Sequence, residues 1–469
     1  MFFAQYYLEC LSQASYLIAD ETTGRAVVVD PRRDVAEYLA DAAEHGFRIE
    51  GVINTHFHAD FLAGHLELAE ETGAWIGYGR RAETAYPARK LADGERICLG
   101  DVTLQIMETP GHTRESISIL VFEHATDDVP YGVLTGDALF IGDVGRPDLL
   151  VSSGCTADAL GRMLFHSIQD TLMSLPDEVR VFPAHGAGSA CGKNLSTERQ
   201  STIGAQRATN WACRQMDEDE FLSVVTTGQP VTPGYFAHDA ALNRERHPTF
   251  MAGTVPPRLE AGRFLGLRRG GALVLDTRDP QEFAAAHLRG ALNVPLDGRF
   301  AETAGTVVHP EQDILVVAPP GREEEVSLRL GRIGFDRILG YLAEPEAAFL
   351  AMPAEVTRAS RVTASELADA LRGEIPPAVL DVRNPGELAA GRIEGSLHIP
   401  LAELPRRLSS VPLNRPVVVH CAAGYRSSVA ASVLRHAGWP DVSDLVGGYT
   451  SWAALEPAAA ADPTGARPT

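Results

Sequence analysis

The stretch THFHADFLAGH at positions 55–65 follows directly on an apolar run with the pattern of a β-strand. In an extended segment, residues two apart point to the same side, so the imidazoles of His56 and His58 can face one metal ion. Asp60 continues this alternation. Phe61 comes next, and its aromatic hydrocarbon has no donor atom for a metal. The stretch therefore predicts a metal site at a strand end, with one position that cannot coordinate.

Three further turns carry ligand-type side chains directly after predicted strands. PGH contributes His112, TGD contributes Asp137 and PAHG contributes His185. Strand ends can hold a site rigidly and still leave it open, and functional residues concentrate in such loops. A single histidine is usually structural, but this many metal-binding residue types at successive strand ends indicate one metal constellation.

The first 210 residues alternate β-branched runs with helical patterns, such as RAVVVD (25–30) and DVAEYLADAAEHG (34–46). This alternation is typical of an α/β scaffold. We predict a helical segment over about 190–225. A connecting segment is predicted over 225–250, where Pro, Gly and Asn are frequent.

Beyond this segment the sequence repeats itself. GALVLDTRDPQEFAAAHLRGALNVPL (271–296) resembles PAVLDVRNPGELAAGRIEGSLHIPL (377–401), and Asp276 is matched by Asp381, 105 residues later. That spacing is too long for a solenoid unit and fits two copies of a small α/β domain.

The length agrees with this organisation. A chain of 469 residues is long enough for about three domains of roughly 150 residues each. We predict domains over 1–250, 251–355 and 356–457. The tail EPAAAADPTGARPT is poor in large apolar residues, and we predict that it is disordered.

Charge and cysteine usage restrict the partners and the compartment. Net charge is −21, with 62 acidic and 41 basic residues, and such a surface repels phosphate backbones and anionic lipid. The opening MFFAQYYLECLSQ has no positive n-region, and no apolar run approaches the roughly 18 residues that cross a bilayer. The six cysteines lie far apart without a C-x-x-C pair, which favours reduced, mostly buried thiols. We expect a cytoplasmic protein that binds neither nucleic acid nor membrane.

A second chemical motif lies near the end of the chain. VVVHCAAGYRSSVAASVLRHAG (417–438) reads as a buried strand, a short loop CAAGYR and a helix. The backbone N–H groups of such a loop and the helix N-terminus favour an anion. Cys421 in this loop should therefore have thiolate character, and Arg426 adds positive charge. We interpret Cys421 as a nucleophile rather than as a buried strand residue.

The earlier copy departs from this pattern. ILVVAPPGREEEVS (314–327) aligns its Gly321 with the glycine of the later loop. Ala318 then falls opposite the cysteine and Glu323 opposite the arginine. Alanine cannot act as a nucleophile, and a run of glutamates repels an anionic substrate.

The ordered motifs THFHAD, GHT, TGD and PAHG resemble those of the metallo-β-lactamase superfamily. The resemblance implies an αβ/βα sandwich with metal at one edge of the paired sheets. Dinuclear hydrolases of the glyoxalase-II type carry a histidine where Phe61 stands, so we expect the second ion to be lost. His65 is interpreted as a helix residue rather than as a substitute ligand.

One ion would then be held by His56, His112 and Asp137. Two imidazoles and a carboxylate form the facial triad of non-haem Fe(II) enzymes, although zinc accepts the same ligands. The pattern resembles the persulfide dioxygenases, which use a single Fe(II) to oxidise a glutathione-type persulfide to sulfite. We expect one Fe(II) per chain.

The same resemblance gives roles to neighbouring residues. His58, Asp60 and His185 would orient the ligands and shape the site. The loop IGDVGRPDL (141–149) is similar to one in which persulfide dioxygenases place a substrate-binding arginine, here Arg146. A guanidinium near the metal suits an anionic thiol, and the alternative for Arg146 is a salt bridge.

The later loop, C-x-x-G-x-R, together with DVRNPGE (381–387) and VGGYTSW (446–452), resembles the rhodanese active site. The resemblance implies that Cys421 carries sulfane sulfur as a persulfide, with Arg426 in catalysis and Gly424 at the substrate. Related phosphatases have five residues between Cys and Arg, and the four here favour sulfur. The earlier copy then resembles a rhodanese that has lost catalysis and has a packing role between the other two domains.

We therefore predict an α/β enzyme of sulfur metabolism, a metallo-β-lactamase sandwich followed by two rhodanese-like domains. It would convert a low-molecular-weight thiol persulfide and O2 into thiol and sulfite. Cys421 would form thiosulfate from sulfite, or run the reverse transfer, and we expect a homo-oligomer. Two alternatives remain: a zinc hydrolase of thioesters such as S-acylglutathione, and a sulfur relay in which only Cys421 matters.

Overall fold

The computed structural model describes residues 1–149 and 155–455. The tail predicted to be disordered, and the predicted domain end at residue 457, lie outside the described residues. The chain forms two compact units. Among the described residues, one contains Met1–Thr254 together with the short segment Leu330–Gly334, and the other contains Val255–Arg329 and residues 335–455.

The first unit is built on two six-stranded sheets in which neighbouring strands follow chain order. The first sheet contains Phe2–Leu8 (β1), Gln13–Asp20 (β2), Arg25–Val29 (β3), Arg48–Ile53 (β4), Trp75–Gly79 (β5) and Arg89–Leu91 (β6). The second sheet contains Arg96–Cys98 (β7), Thr103–Glu108 (β8), Ile117–Phe122 (β9), Gly132–Gly136 (β10), Arg180–Pro183 (β11) and Ser201–Thr202 (β12).

Six α-helices belong to the described part of this unit up to Thr254: Ala36–Glu44 (α1), His65–Thr72 (α2), Ala157–His166 (α3), Ile203–Thr209 (α4), Glu218–Thr226 (α5) and Phe236–Leu242 (α6). The sequence prediction was wrong in two places here. Residues 190–200 are not helical, because Asp143 accepts the backbone N–H groups of Lys193 and Asn194 and holds them in a loop. The segment 225–250, predicted as a connection, contains α6.

The two sheets pack face to face and helices cover their outer faces. Val27 of β3 and Leu104 of β8 share one buried core between the sheets. Val28, the next residue of β3, points the other way and packs with Tyr38 of α1. On the outer face of the second sheet, Val181 packs with helical residues in a third core. This arrangement confirms the predicted αβ/βα sandwich.

The second unit contains the predicted repeat as two five-stranded sheets. The first consists of Arg258–Leu259 (β13), Leu273–Asp276 (β14), Leu292–Asn293 (β16), Ile314–Val317 (β17) and Ile338–Leu342 (β18). The second consists of Ser360–Val362 (β20), Ala378–Asp381 (β21), Leu397–His398 (β22), Val417–His420 (β23) and Val442–Leu445 (β24). His287–Leu288 (β15) pairs with Val356–Thr357 (β19) in a separate ribbon.

The spatial orders are β13-β18-β17-β14-β16 and β20-β24-β23-β21-β22. Each sheet therefore places its first, fifth, fourth, second and third strands side by side, so the two copies share one topology. The helices of this part of the chain are Ala261–Arg269 (α7), Pro280–Ala285 (α8), Phe300–Val307 (α9), Glu323–Gly331 (α10), Pro345–Ala351 (α11), Ala364–Leu371 (α12), Tyr425–His436 (α13) and Gly448–Ala453 (α14).

The two copies pack against each other through α13. The backbone N–H of Asn293 in β16 donates to the Ser432 hydroxyl of α13 over 2.9 Å. At the start of the same helix, the Tyr425 hydroxyl donates to the carbonyl of Pro295 over 2.9 Å. The copy without a cysteine thus supports the helix that follows the cysteine loop.

All six cysteines are free thiols. Those that are buried are Cys191, Cys213 and Cys421. We expected most of the six to be buried, but the other three are exposed or only partly buried. Within the described residues, no helix is both long enough and apolar enough to span a bilayer.

Candidate functional site

Three side chains predicted as metal ligands meet at the edge of the first unit's sheets. His56 follows β4, His112 follows β8 and Asp137 follows β10, and all three are at most 1% exposed. Asp137 Oδ2 lies 3.7 Å from His56 Nε2 and 3.5 Å from His112 Nε2. The structure thus brings together donor atoms from three separate strand ends.

Hydrogen bonds fix which nitrogen of each imidazole faces this centre. His112 Nδ1 donates to the carbonyl of Arg146 over 2.9 Å. His56 Nδ1 lies 3.0 Å from the Thr55 hydroxyl, which in turn donates to Asp30. Each Nδ1 therefore carries the proton, and each Nε2 presents its lone pair toward Asp137.

The charge states suit metal binding. Burial lowers the pKa of His56 and of His112, so both imidazoles are neutral at physiological pH. Burial alone would raise the pKa of Asp137, but the neighbouring His185 and the two ligand histidines hold it well below its usual range. The centre therefore offers two neutral nitrogen donors and one anionic oxygen donor.

Two of these donor atoms have no other role in the described structure. His56 Nε2 and Asp137 Oδ2 are buried and have no hydrogen-bond partner among the described residues. Buried polar atoms are nearly always satisfied, and leaving one unpaired costs roughly 1–3 kcal/mol. A divalent ion between these atoms would satisfy both, and two imidazoles with one carboxylate match the preferences of Fe(II) and Zn²⁺. The residues present therefore fit a metal.

His185 lies beside the ligand carboxylate and not in the triad. Its Nδ1 donates to Asp137 Oδ1 over 2.7 Å, which leaves Oδ2 facing the two histidines. Its Nε2 lies 2.9 Å from Asp60 Oδ2, an ion-pair contact without the alignment of a hydrogen bond. Burial opposes charge on His185, but the two carboxylates outweigh it and raise its pKa well above the usual range.

His58 and Phe61 also lie beside the centre, with the His58 ring centroid 4.2 Å from that of His56 and the Phe61 centroid 6.3 Å from that of His185. His58 Nε2 donates to Asp30 Oδ1 over 3.0 Å. The ring of Phe61 is fully buried, with its centroid 4.3 Å from that of His58. An apolar ring thus fills the position at which the dinuclear pattern would have a nitrogen donor. His65 begins α2, as the sequence predicted, and burial lowers its pKa to about 3.

Asp30 supports the candidate metal centre and was not predicted from the sequence. It accepts hydrogen bonds from the Thr55 N–H at 2.7 Å and the Thr55 hydroxyl at 2.8 Å, besides the bond from His58. Its φ is +51°, a left-handed conformation that is uncommon outside glycine. The available signal was an apolar run, RAVVV, that ends in a carboxylate.

Cys191 was also missed, because it was interpreted as one of the core thiols. Donor atoms of Asp60, His185 and Cys191 lie within 4.8 Å of one another, and all three residues are buried. Burial raises the pKa of the Cys191 thiol well above its usual range, and the carboxylates of Asp60 and Asp137 raise it further. With no ion beside it, this group is therefore a neutral thiol.

Arg146 is only 2% exposed and its guanidinium is engaged within the protein. It forms a two-point ion pair with Asp148, at 2.6 and 2.7 Å, and donates to the carbonyl of Pro230 over 2.7 Å. Its own carbonyl accepts the His112 hydrogen bond described above. These contacts fix the loop 141–149, and the substrate-binding role of Arg146 stays a prediction.

Asn243, just after α6, ties the metal loop together. Its side-chain N–H groups donate to the carbonyls of His58 at 2.8 Å and Phe61 at 2.9 Å, and its oxygen accepts from the N–H of Ala63. The predicted connecting segment therefore supports the metal centre.

The cysteine loop has the predicted strand–loop–helix geometry. Cys421 follows β23 and its Sγ accepts the N–H of Gly424 over 3.1 Å. Gly424 has a φ of +106° and precedes α13, so a side chain at that position would strain the backbone. The loop amide and the N-terminus of α13 together favour negative charge on the sulfur.

Arg426 is not free to meet a substrate in this structure. It forms a two-point ion pair with Glu387, with both N–O distances 2.7 Å. Glu387 also accepts the backbone N–H of Asn384, so the pair is held from both sides. Glu387 belongs to the motif DVRNPGE, 39 residues before Arg426, so the pair has no short-range pattern in the sequence.

The earlier copy matches this loop in position. Ala318 follows β17 directly, as Cys421 follows β23, and it is buried. Gly321 keeps the left-handed conformation with a φ of +81°, and Glu323 begins α10. The backbone geometry is thus retained where the nucleophile is absent.

Comparison with known proteins assigns two segments of the chain to families. Residues 8–185 match the metallo-beta-lactamase superfamily and residues 363–455 match the rhodanese-like domain. A Staphylococcus aureus protein described as a metallo-beta-lactamase superposes with a TM-score of 0.66 at 34% identity, covering 73% of this chain and 99% of that structure.

Two curated relatives match somewhat less than half of the chain each. The bovine (Bos taurus) mitochondrial persulfide dioxygenase ETHE1 is 30% identical over 186 residues, which is 39% of this chain and 68% of that protein. The Arabidopsis thaliana cytoplasmic hydroxyacylglutathione hydrolase is 29% identical over 220 residues, which is 46% of this chain and 80% of that protein. The chain spans about half to two thirds of the length of several curated relatives that it matches.

Proposed function

We propose that this chain, which belongs to the metallo-β-lactamase superfamily and carries a C-terminal rhodanese-like domain, is an Fe(II)-dependent persulfide dioxygenase with a sulfurtransferase site. The observation that carries the proposal is the convergence of His56, His112 and Asp137, with Phe61 in the position of a second-metal ligand. One ion with open coordination positions suits O2 chemistry, whereas dinuclear hydrolysis needs two ions roughly 3.5–4 Å apart.

The chain's own residues would hold and tune this ion. Asp137 supplies the one anionic donor, and His185 holds the other oxygen of that carboxylate so that Oδ2 stays in place. The carbonyl of Arg146 and the Thr55 hydroxyl orient the two imidazoles. Bound Fe(II) would supply the redox chemistry that activates O2 next to the persulfide sulfur.

The overall reaction balances without another reductant. One persulfide, RSSH, with one O2 and one water gives one thiol, RSH, one sulfite and two protons. The S–S bond breaks, the outer sulfur loses four electrons, and O2 accepts all four. The thiol leaves with its own sulfur unchanged.

The C-terminal rhodanese-like domain would act on the sulfite product or on the same low-molecular-weight persulfides. Cys421 would carry the sulfane sulfur as a persulfide, and the Gly424 N–H, which donates to Cys421 Sγ, would stabilise the thiolate that forms when the S–S bond breaks. Sulfite attacks the outer sulfur, the S–S bond breaks, thiosulfate leaves and Cys421 returns as thiolate. The reverse sequence loads Cys421 from thiosulfate and releases sulfite.

An oxygen-electrode assay with anaerobically iron-loaded protein and glutathione persulfide tests the proposal. We expect one O2 consumed and one sulfite formed per persulfide, with sulfite measured before added persulfide can react with it. Oxygen uptake that does not depend on iron loading would refute the dioxygenase assignment. Thiosulfate formation without oxygen uptake would favour the relay function, in which only Cys421 acts.

A thioester hydrolase is the second candidate, and one observation favours it. Asp60, His185 and Cys191 form a second group of buried donors beside the first. With two zinc ions, such an arrangement would suit hydrolysis by a metal-bound hydroxide. Two zinc ions per chain in a preparation that cleaves S-lactoylglutathione would establish it, and one iron per chain without that activity would exclude it.

A further inference from the structure

Glu387 and Arg426 meet beside the cysteine loop as a partly exposed ion pair. Both nitrogen–oxygen distances are 2.7 Å, and the side chains of Arg426 and Glu387 are 26% and 33% exposed. Cys421 itself is only 1% exposed. A ligand from solvent can therefore reach the ion pair, while the sulfur that follows β23 is buried.

Both members of this pair are charged at physiological pH. Burial alone would raise the pKa of Glu387, but the hydrogen bond from Arg426 lowers it below its usual range. Burial opposes the charge on Arg426, but Glu387 and the Cys421 sulfur raise the pKa of this guanidinium above its usual range. Arg426 therefore adjoins the sulfur, and its charge is neutralised by Glu387.

The cysteine loop and the neighbouring strand end contain no unpaired cation. Between Cys421 and Arg426 the sequence has two alanines, a glycine and Tyr425, whose hydroxyl is already hydrogen-bonded to the earlier copy. Arg383 donates to both oxygens of Asp381, at 2.9 and 2.6 Å. Each guanidinium in residues 381–387 and 421–426 is thus paired with a carboxylate, and an oxyanion that enters must compete for one of them.

The earlier copy has the same glutamate without the arginine. Glu282 stands in DTRDPQE where Glu387 stands in DVRNPGE, 105 residues later, and Glu323 replaces the arginine there. Glu282 is exposed, and its side chain forms no hydrogen bond or ion pair within residues 1–149 and 155–455. The turn that carries this glutamate therefore folds without a partner for its carboxylate, so the pairing of Glu387 is not a requirement of the fold.

We propose that Glu387 is a specificity-determining residue of the cysteine loop, because its carboxylate competes with sulfite and thiosulfate for Arg426. The inference rests on the proposed sulfurtransferase function of Cys421 and names the residue that limits oxyanion binding at that site. A carboxylate and an oxyanion occupy the same donor positions of a guanidinium, so the two exclude each other there. A partly exposed ion pair is weak enough for a ligand to displace.

The charge at Arg426 matters in the transfer step itself. When thiosulfate loads the loop, the Cys421 thiolate attacks the outer sulfur and forms a new S–S bond. The S–S bond of thiosulfate breaks, and sulfite leaves with the electron pair, so no oxidant or reductant is needed. Arg426 can bind the oxygens of thiosulfate or sulfite only after Glu387 has released it. Glu387→Gln keeps the size of the side chain and one acceptor oxygen but removes the competing charge.

Alkylation of Cys421 by iodoacetate and by iodoacetamide measures the access of an anion without any sulfur transfer. Both reagents react with the same thiolate and release iodide, but only iodoacetate is negatively charged. The ratio of the two rates therefore reports the charge beside the sulfur and is independent of the amount of thiolate. In Glu387→Gln we expect this ratio, followed by mass spectrometry of the Cys421 peptide in the full chain, to rise about 5-fold.

Glu282→Gln is the matched control, because it makes the same change at the equivalent position of the copy without the arginine. We expect it to keep the wild-type ratio. Glu387→Gln added to Arg426→Gln should not change the ratio, since no guanidinium is left to release. Glu387→Ala is a second test variant, and unfolding cannot mimic its expected effect because it removes the sulfur from Arg426. The inference is overturned if the ratio stays within twofold of wild type, or falls, in both Glu387 variants.

Anaerobic sulfur transfer from thiosulfate to cyanide separates this inference from the proposed function. We expect KM for thiosulfate to fall about 5-fold in Glu387→Gln while kcat changes less than about twofold. If no variant transfers sulfur, the sulfurtransferase proposal fails, and the alkylation ratio still decides the role of Glu387. If sulfur is transferred and the alkylation ratio is equal in wild type and both Glu387 variants, the inference fails and the sulfurtransferase proposal stands.

Discussion

Replacing Asn243 by alanine should loosen the loop that carries the metal-binding histidines. The side chain is fully buried and makes three hydrogen bonds to backbone groups of residues 58–63, with distances of 2.8 to 2.9 Å. Alanine leaves two carbonyls and one N–H of that loop without these partners. Because the loop begins two residues after His56, its disorder reaches the metal centre.

The magnitude follows from the count of bonds. With each net hydrogen bond contributing about 1 kcal/mol, Asn243→Ala should lower the free energy of unfolding of the first unit by about 3 kcal/mol. For a unit of this size that corresponds to a fall in melting temperature of roughly 6–12 °C. Loss of a residue that orients ligands typically costs about 10–100-fold in metal affinity, and we expect the lower end of that range.

Differential scanning calorimetry and iron competition with a chelator measure the two effects. Asn293→Ala is the matched control, because Asn293 is also fully buried and donates to two backbone carbonyls, those of Asp276 and Arg278, in the other unit. We expect this control to destabilise without changing iron affinity. The reasoning is refuted if Asn243→Ala keeps wild-type iron affinity and a melting temperature within 2 °C of wild type.

Three further predictions concern the two chemical sites. Asp137→Ala should lower the iron content from one per chain to background, measured by elemental analysis, and abolish oxygen uptake. The reason is that two neutral imidazoles remain without the anionic donor. Iron retained at one per chain would contradict this prediction. Cys421→Ser should remove thiosulfate formation, since a serine hydroxyl stays protonated at neutral pH. Oxygen uptake should stay within about twofold of the wild-type rate. An equal loss of thiosulfate formation and oxygen uptake would show that the two sites are not separable. Ala318→Cys, introduced into Cys421→Ser, should not restore thiosulfate formation, because Glu323 repels the anion, and any recovery above background would refute this reasoning.

The fold, and the three side chains that meet at the candidate metal centre, could be predicted from the sequence, and the reason is local. His56, His112 and Asp137 each follow an apolar run, so strand ends and ligand chemistry can be read together from adjacent residues. The repeat beyond residue 250 is likewise visible because equivalent residues have equivalent neighbours. A pattern confined to a few consecutive residues can be recognised in the sequence without knowledge of the fold.

The supporting residues could not be predicted in the same way. Asn243 acts on a loop about 180 residues earlier in the chain, and Cys191 reaches Asp60 only after folding. Such contacts have no short-range pattern. Arg146 differs, because its ion-pair partner Asp148 is only two residues away. The sequence therefore contained an indication that the guanidinium could be paired within the protein.

The copy without a cysteine contacts the cysteine loop of the other copy. Tyr425 lies inside C-x-x-G-x-R, between the glycine that turns the loop and Arg426, and its hydroxyl bonds to Pro295 of the earlier copy. Burial raises the pKa of Tyr425 to about 12, so the hydroxyl remains a donor at any physiological pH. The earlier copy has alanine at position 318 and makes these contacts with α13 without a nucleophile there. A domain without chemistry of its own can therefore be retained because it positions the loop in which chemistry takes place.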